Sequence, residues 1–243
     1  FPPATARPDM DALTGPDGVL TRALEYTDNF RYVPQHSPMA FWPIPIGTSF
    51  FYLVMVFTLR FLMKDREAMK LRAFMIIHNF IMTVVSTVVF LGISISLVRL
   101  AIKHNFDRWI FFCDSDQIEV NQGTLYFFIY VFYLSKYYEL IDTVFILLRK
   151  GRLMFLHAYH HWATLILIYV CLEVGLPVQW SAEGLNALVH IPMYYYYLQT
   201  LFGREVWWKR YLTLMQITQF VVVDTLHLTS FYHHYVLGGN CSS

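Results

Sequence analysis

Leu156-His157-Ala158-Tyr159-His160-His161-Trp162 opens an apolar run that continues to Leu172. A helix through this stretch puts three imidazoles, at i, i+3 and i+4, on one face. Polar side chains directed at lipid are costly, so such a face turns inward and marks a functional site. Two other readings fit the same residues. One is an interhelical hydrogen-bond cluster without chemistry. The other is a metal site, since histidines at i and i+4 can share an ion.

The rest of the chain gives this stretch its setting. Of 243 residues, 56% are hydrophobic and 14% charged, against about 25% charged in a soluble domain. Apolar runs near the length of ~20 residues that crosses a bilayer occupy roughly 41–63, 74–100, 125–148, 155–172, 181–202 and 209–231. The expected fold is an all-α integral membrane protein, a polytopic helical bundle. Residues 41–243 form its single transmembrane domain, and 1–40 an N-terminal segment that is mobile at first and then lies along the membrane surface. The net charge of +1 gives no ground for a nucleic-acid partner, so the bilayer is the expected one.

Polar residues recur inside the spans with helical spacing. In the third, Lys136, Glu139, Asp142 and Thr143 share one face, and three ionisable groups in one span need partners. They form either a self-neutralising lock between helices or part of a site. The fifth span carries Asn186, His190, Met193 and Tyr194 on one face, with Pro192 expected to kink the helix and free a carbonyl. The sixth carries Thr213, Gln216, Gln219 and Asp224, with His227 to the side. Thr and Gln there also suit plain interhelical bonding. The first span has no internal charge before Arg60 and reads as lipid-facing structure. His78 and Asn79, near the start of the second, read equally as site or as interface.

Basic residues set the orientation. The loops after spans one, three and five hold ten Lys and Arg, against six in the N-terminal segment and the loop after span two. The odd-numbered loops are therefore expected in the cytosol and the N-terminus across the membrane. The histidine box then opens span four from the cytosolic end, and the Lys136–Asp142 face lies at similar depth. Gln216 lies about 10 Å inside span six at ~1.5 Å per residue, and His190 rises from below. Such a site can take a charged headgroup from the cytosol and a lipid tail from the bundle.

Membrane iron enzymes combine several histidine boxes. His36, His78, His104 and the His233-His234 pair do not build a second one here. A single box with His190 could still hold one metal, so an iron oxygenase stays beside a non-catalytic lipid-binding protein as an alternative.

Four stretches, L-H-A-Y-H-H, K-Y-Y-E-L-I-D-T, N-A-L-V-H-I-P-M-Y-Y and T-L-M-Q-I-T-Q-F, stand in the order and spacing of the fatty acid elongase (ELO) condensing enzymes. The chain resembles that family over nearly all of 41–243, and most closely its fungal-type members. The resemblance implies seven spans, six of them closed around a substrate tunnel, so the last span is expected to be missing from this sequence. It implies the first step of very-long-chain elongation in the endoplasmic reticulum membrane: acyl-CoA and malonyl-CoA give 3-oxoacyl-CoA, CO₂ and CoA. No cofactor and no metal are implied. Partners would be the two CoA substrates, the reductases and dehydratase that complete the cycle, and a second copy of the chain.

Carried onto this sequence, the resemblance makes His160 the nucleophile that forms an acyl-imidazole. A neutral imidazole is competent near pH 7, and Cys113, Cys171 and Cys241 lie outside the four motifs. His190 and Asn186 would orient the acyl carbonyl or stabilise the enolate. His157 and His161 would set tautomers and proton transfers. Lys136 and Arg149 would meet the CoA phosphates, with Lys150 and Arg152 adding positive field at the mouth. Gln216 would reach the pantetheine or the box, with Gln219 and Tyr194 also lining the substrate site. Glu139 and Asp142 would hold Lys136 and the box in place. Arg152 occupies the position where family members preferring polyunsaturated chains often have Gln, which leans toward saturated or monounsaturated substrates. The resemblance also places the loops of Cys113 and Cys241 at one end of the barrel. A disulfide between them is expected there, with Cys171 a competitor and free thiols the alternative.

Overall fold

The computed structural model describes residues 18–106, 111 and 122–236. Cys113 and Cys241 lie outside them, so the expected bridge is not addressed; Cys171 is a free thiol. Seven helices make up the described residues: α1 (Val19–Asp28), α2 (Pro43–Leu62), α3 (Arg72–Lys103), α4 (Gly123–Leu148), α5 (Phe155–Val174), α6 (Trp180–Leu201) and α7 (Lys209–Tyr235). The last six correspond to the six expected spans. The protein is an all-α polytopic membrane protein. By length and composition, α2, α3 and α5 are apolar enough to cross a membrane. The other three are as long, but each carries polar residues of the site.

α4 touches α1, α2, α3, α5 and α6. It is the helix on which the others assemble, and Tyr126, Tyr130, Phe132, Tyr133, Lys136, Glu139 and Thr143 are buried along it. The most extensive contact is between α3 and α6. Small residues allow such close approach without a solvent-driven hydrophobic force between helices. At Gly184 of α6, a Cβ would come within 3.3 Å of Ile93 on α3; at Gly92 of α3, it would run into the ring of Phe128 on α4. α7 packs on α6, and α2 lies outside against α4 and α5. Among the described residues α5 and α6 do not pack on one another, and each meets α4 instead.

Pro43 and Pro45 sit in the first turn of α2, where their missing N–H groups cost nothing. This helix is not wholly lipid-facing, as its sequence suggested. Pro45, Ser49, Tyr52 and Val56 form a buried stripe at helical spacing, while Phe50, Phe51, Phe57 and Phe61 point outward. α6 continues through Pro192 as one helix.

The segment 29–42 carries contacts that no local sequence pattern announced. It is anchored on the bundle by Tyr32 (1% exposed) and Ala40 (0%), while Arg31, Val33, His36, Phe41 and Trp42 stay exposed. Backbone carbonyls in an apolar setting need donors, and tyrosines of α4 provide them. Tyr130 donates to Pro38 O, and Tyr133 to Met39 O at 2.7 Å. Glu173 of α5 accepts from Tyr32 at 2.6 Å and from the Gln35 backbone at 3.2 Å. Burial, and then the Glu173 carboxylate, hold the Tyr32 phenol above the usual tyrosine range. At the other end, Lys150 in a left-handed turn (φ 55°) donates to Lys64 O at 3.1 Å and Arg66 O at 2.8 Å. The basic loops after α2 and α4 are thereby tied together.

Candidate functional site

The polar faces expected of the third, fourth and fifth spans meet inside the bundle. Lys136, 2% exposed, donates to Glu139 Oε1 at 2.8 Å, to Glu139 Oε2 at 3.0 Å and to Asn186 Oδ1 at 2.8 Å. Its Nζ also stands 4.1 Å from the centre of the Phe132 ring. An ammonium has three donors, and all three are engaged. The i+3 spacing to Glu139 turns the Lys136 charge inward, so the expected contact with CoA phosphates would require these bonds to open. Glu139 is 0% exposed, and its Oε1 lies 3.5 Å from His190 Nδ1. A buried charge pair adds little net stability, but losing one partner strands the other at high cost. The Lys136–Glu139–Asn186 cluster therefore fixes the α4–α6 geometry around His190.

In the box, His157 and His161 have ring centres 4.5 Å apart, and His160 and His161 5.5 Å. His157 Nε2 is 3.1 Å from Thr143 Oγ1, which is 2.9 Å from Tyr52 OH. Thr143 can accept from Tyr52 and donate to His157, leaving the His157 proton on Nδ1. His161 is buried, and its Nδ1 has no hydrogen-bond partner. His160 is half-buried; its ring packs against His161 and, at 6.5 Å, Phe220 of α7.

Asp142 accepts from His78 Nε2 at 2.9 Å and from Tyr194 OH at 2.7 Å. The Tyr194 ring meets the His190 ring edge to face at 5.4 Å. On α7, Gln219 is buried, while Gln216 is half-buried and donates to Met193 Sδ at 3.7 Å, so the box is not its contact. Thr213 and Asp224, on the same expected face, are exposed. Arg149, Lys150 and Arg152 are exposed at the basic end, Arg149 donating to Met75 Sδ at 3.3 Å. Among the described residues no three His, Cys, Asp or Glu side chains are grouped as a metal ion requires.

Sequence reasoning missed Tyr52 and left His78 undecided. A tyrosine in an apolar span reads as packing, and its partner Thr143 is 91 residues away. The signal for His78 was its stripe: His78, Asn79, Met82, Ser86 and Ser96 are all buried on α3.

Comparison with known proteins places this arrangement. Residues 37–243 match the ELO family, described as the GNS1/SUR4 family. The chain belongs to the ELO family. "Fatty acid elongase A" of Dictyostelium discoideum is 38% identical over 216 residues, 89% of this chain and 77% of that protein. A Schizosaccharomyces pombe relative is 39% identical over 208 residues, 84% of this chain and 60% of its own length. The human protein "Very long chain fatty acid elongase 4" is 32% identical over 194 residues, 74% of this chain and 58% of that protein. As an ELO family member, the chain presents its histidines from a multi-pass membrane bundle.

Proposed function

We propose that this protein is the condensing enzyme of fatty acid elongation, joining acyl-CoA to malonyl-CoA to give 3-oxoacyl-CoA, CO₂ and CoA. One observation carries the reading: α4 holds imidazoles from two helices, His157 through Thr143 and His190 beside Glu139, while among the described residues the His160 and His161 rings make ring contacts only and keep their nitrogens free of side-chain partners. A neutral imidazole with a free lone pair is a nucleophile for a thioester. His160 attacks the acyl carbonyl, CoA leaves as thiolate and takes up a proton, and an acyl-imidazole remains. Malonyl-CoA then loses CO₂, its enolate attacks the acyl carbon, and the imidazole is released.

The surrounding groups support each step. His157, held by Thr143, and His161 stand beside His160 to move its proton. His190, set by Glu139 and Tyr194, and Asn186, held by Lys136, are placed to receive the developing oxyanion. With Lys136 occupied, the CoA phosphates fall to Arg149, Arg152 and the field of the basic loops. The orientation argument puts those loops on the cytosolic face of the endoplasmic reticulum. Saturated or monounsaturated chains are the substrates favoured by Arg152.

The test is malonyl-CoA-dependent two-carbon extension by purified protein across a series of acyl lengths, under chelation and without oxygen or reductant. Extended 3-oxoacyl product is expected. Its absence at every length, or its loss on chelation with restoration by iron, overturns the reading.

A further inference from the structure

We propose that His78 is a positioning residue of the reaction, acting through Asp142 and Tyr194 on His190. The inference rests on the condensing function proposed above. His78 is 2% exposed on α3, a helix that supplies no residue to the motifs. It stacks on Tyr138 at 4.8 Å and meets Phe145 edge to face at 5.3 Å, so its plane is fixed on two sides. Its Nε2 is 2.9 Å from Asp142 Oδ1. A carboxylate only accepts, so Nε2 carries the proton.

The other Asp142 oxygen accepts from Tyr194 OH. Tyr194 is 0% exposed and follows His190 by one helical turn on α6. Its hydroxyl has one strong acceptor, and the direction of that acceptor sets the ring lying against His190. Without His78, Asp142 keeps one donor and can turn about its side-chain bonds. Tyr194 would turn with it, and His190 would lose the wall that defines its plane. Hydrogen bonds in a low-dielectric interior are strong and mutually polarising, so the chain from α3 to His190 transmits orientation although His78 does not reach the substrate.

The experiment compares extension kinetics of wild type, His78→Phe, His78→Gln, Tyr194→Phe and the double variant His78→Phe/Tyr194→Phe, per folded, monodisperse enzyme. Misplacement of a catalytic group by a fraction of an ångström to an ångström lowers rate by up to about 100-fold. His78→Phe is therefore expected to lower kcat about 10- to 100-fold with KM unchanged. The Gln amide puts a donor near the place of Nε2, so His78→Gln should recover most of the rate. On the Tyr194→Phe background, His78→Phe should cost little more, because both act through one path. Equal losses in His78→Phe and His78→Gln, a change confined to KM, or full additivity in the double variant would each overturn the proposal. Where His78→Phe does not fold, His78→Asn, whose amide stops short of Asp142, replaces it with the same outcomes. Wild-type protein that extends no acyl-CoA overturns the function itself, and this inference with it.

Discussion

At Thr143 one hydroxyl joins three helices: Tyr52 of α2 and His157 of α5 both meet it on α4. The residue is 0% exposed, so water cannot replace it. Thr143→Val should leave two buried polar groups without their partner, at about 1–3 kcal/mol. It should also free the His157 ring, slowing extension about 10- to 100-fold by loss of orientation. Thr143→Ser, which keeps the hydroxyl, should retain most of both. Thermal melting and extension rates of the two variants check this. At this scale the sequence was partly readable. The spacing of Lys136, Glu139, Asp142 and Thr143 put them on one buried face because a helix repeats every 3.6 residues. It did not reveal that the Lys136 donors are all consumed internally, because Asn186 lies 50 residues away. A partner 91 residues away likewise left Tyr52 unmarked in an apolar span.

Among the elements, α4 is central because polar residues line one face and tyrosines another, and each face has its own partner. Its polar face meets α5 and α6, and Tyr130 and Tyr133 hold the segment before α2. Its contact with α3 depends on Gly92. An alanine there gains about 1 kcal/mol of helix propensity. Its Cβ, however, would overlap Phe128 from Cγ outward, not only at the ring's far edge. Overpacking costs about 1–3 kcal/mol, so the clash should win. Gly92→Ala is expected to lower the melting temperature in detergent, and a rise would show that α3 and α4 have slack at this point. The six long helices were legible from apolar run length alone, since each expected span matches a helix to within a few residues. The fold of 29–42 was not, because it rests on tyrosine hydroxyls and Glu173 of distant helices rather than on any local pattern.

For the molecule as a whole, the helices assemble so that Lys136, Glu139, His78, His161 and His190 are buried inside while large apolar side chains cover much of the outside. Burying Lys136, Glu139 and the histidines is costly, which makes an interior that does chemistry or binds a polar ligand the default reading. Membership of the ELO family and the row of imidazoles from two helices favour chemistry on a thioester. That conclusion was legible in four short motifs, since motif spacing survives where tertiary contacts cannot be read. What the motifs could not give was the partners that hold these side chains: Thr143 for His157, Glu139 beside His190, and Asp142 for His78 on a motif-less helix.

The most direct test of the account is the release of CoA from acyl-CoA in the absence of malonyl-CoA. Purified protein mixed rapidly with a long-chain acyl-CoA should give a burst of free thiol stoichiometric with enzyme, together with a mass increase of one acyl group on the intact chain. Both should vanish in His160→Ala while the variant remains folded. Release of CoA only after malonyl-CoA is added, or an acyl adduct that persists in His160→Ala, would contradict the assignment of His160 as the acyl carrier.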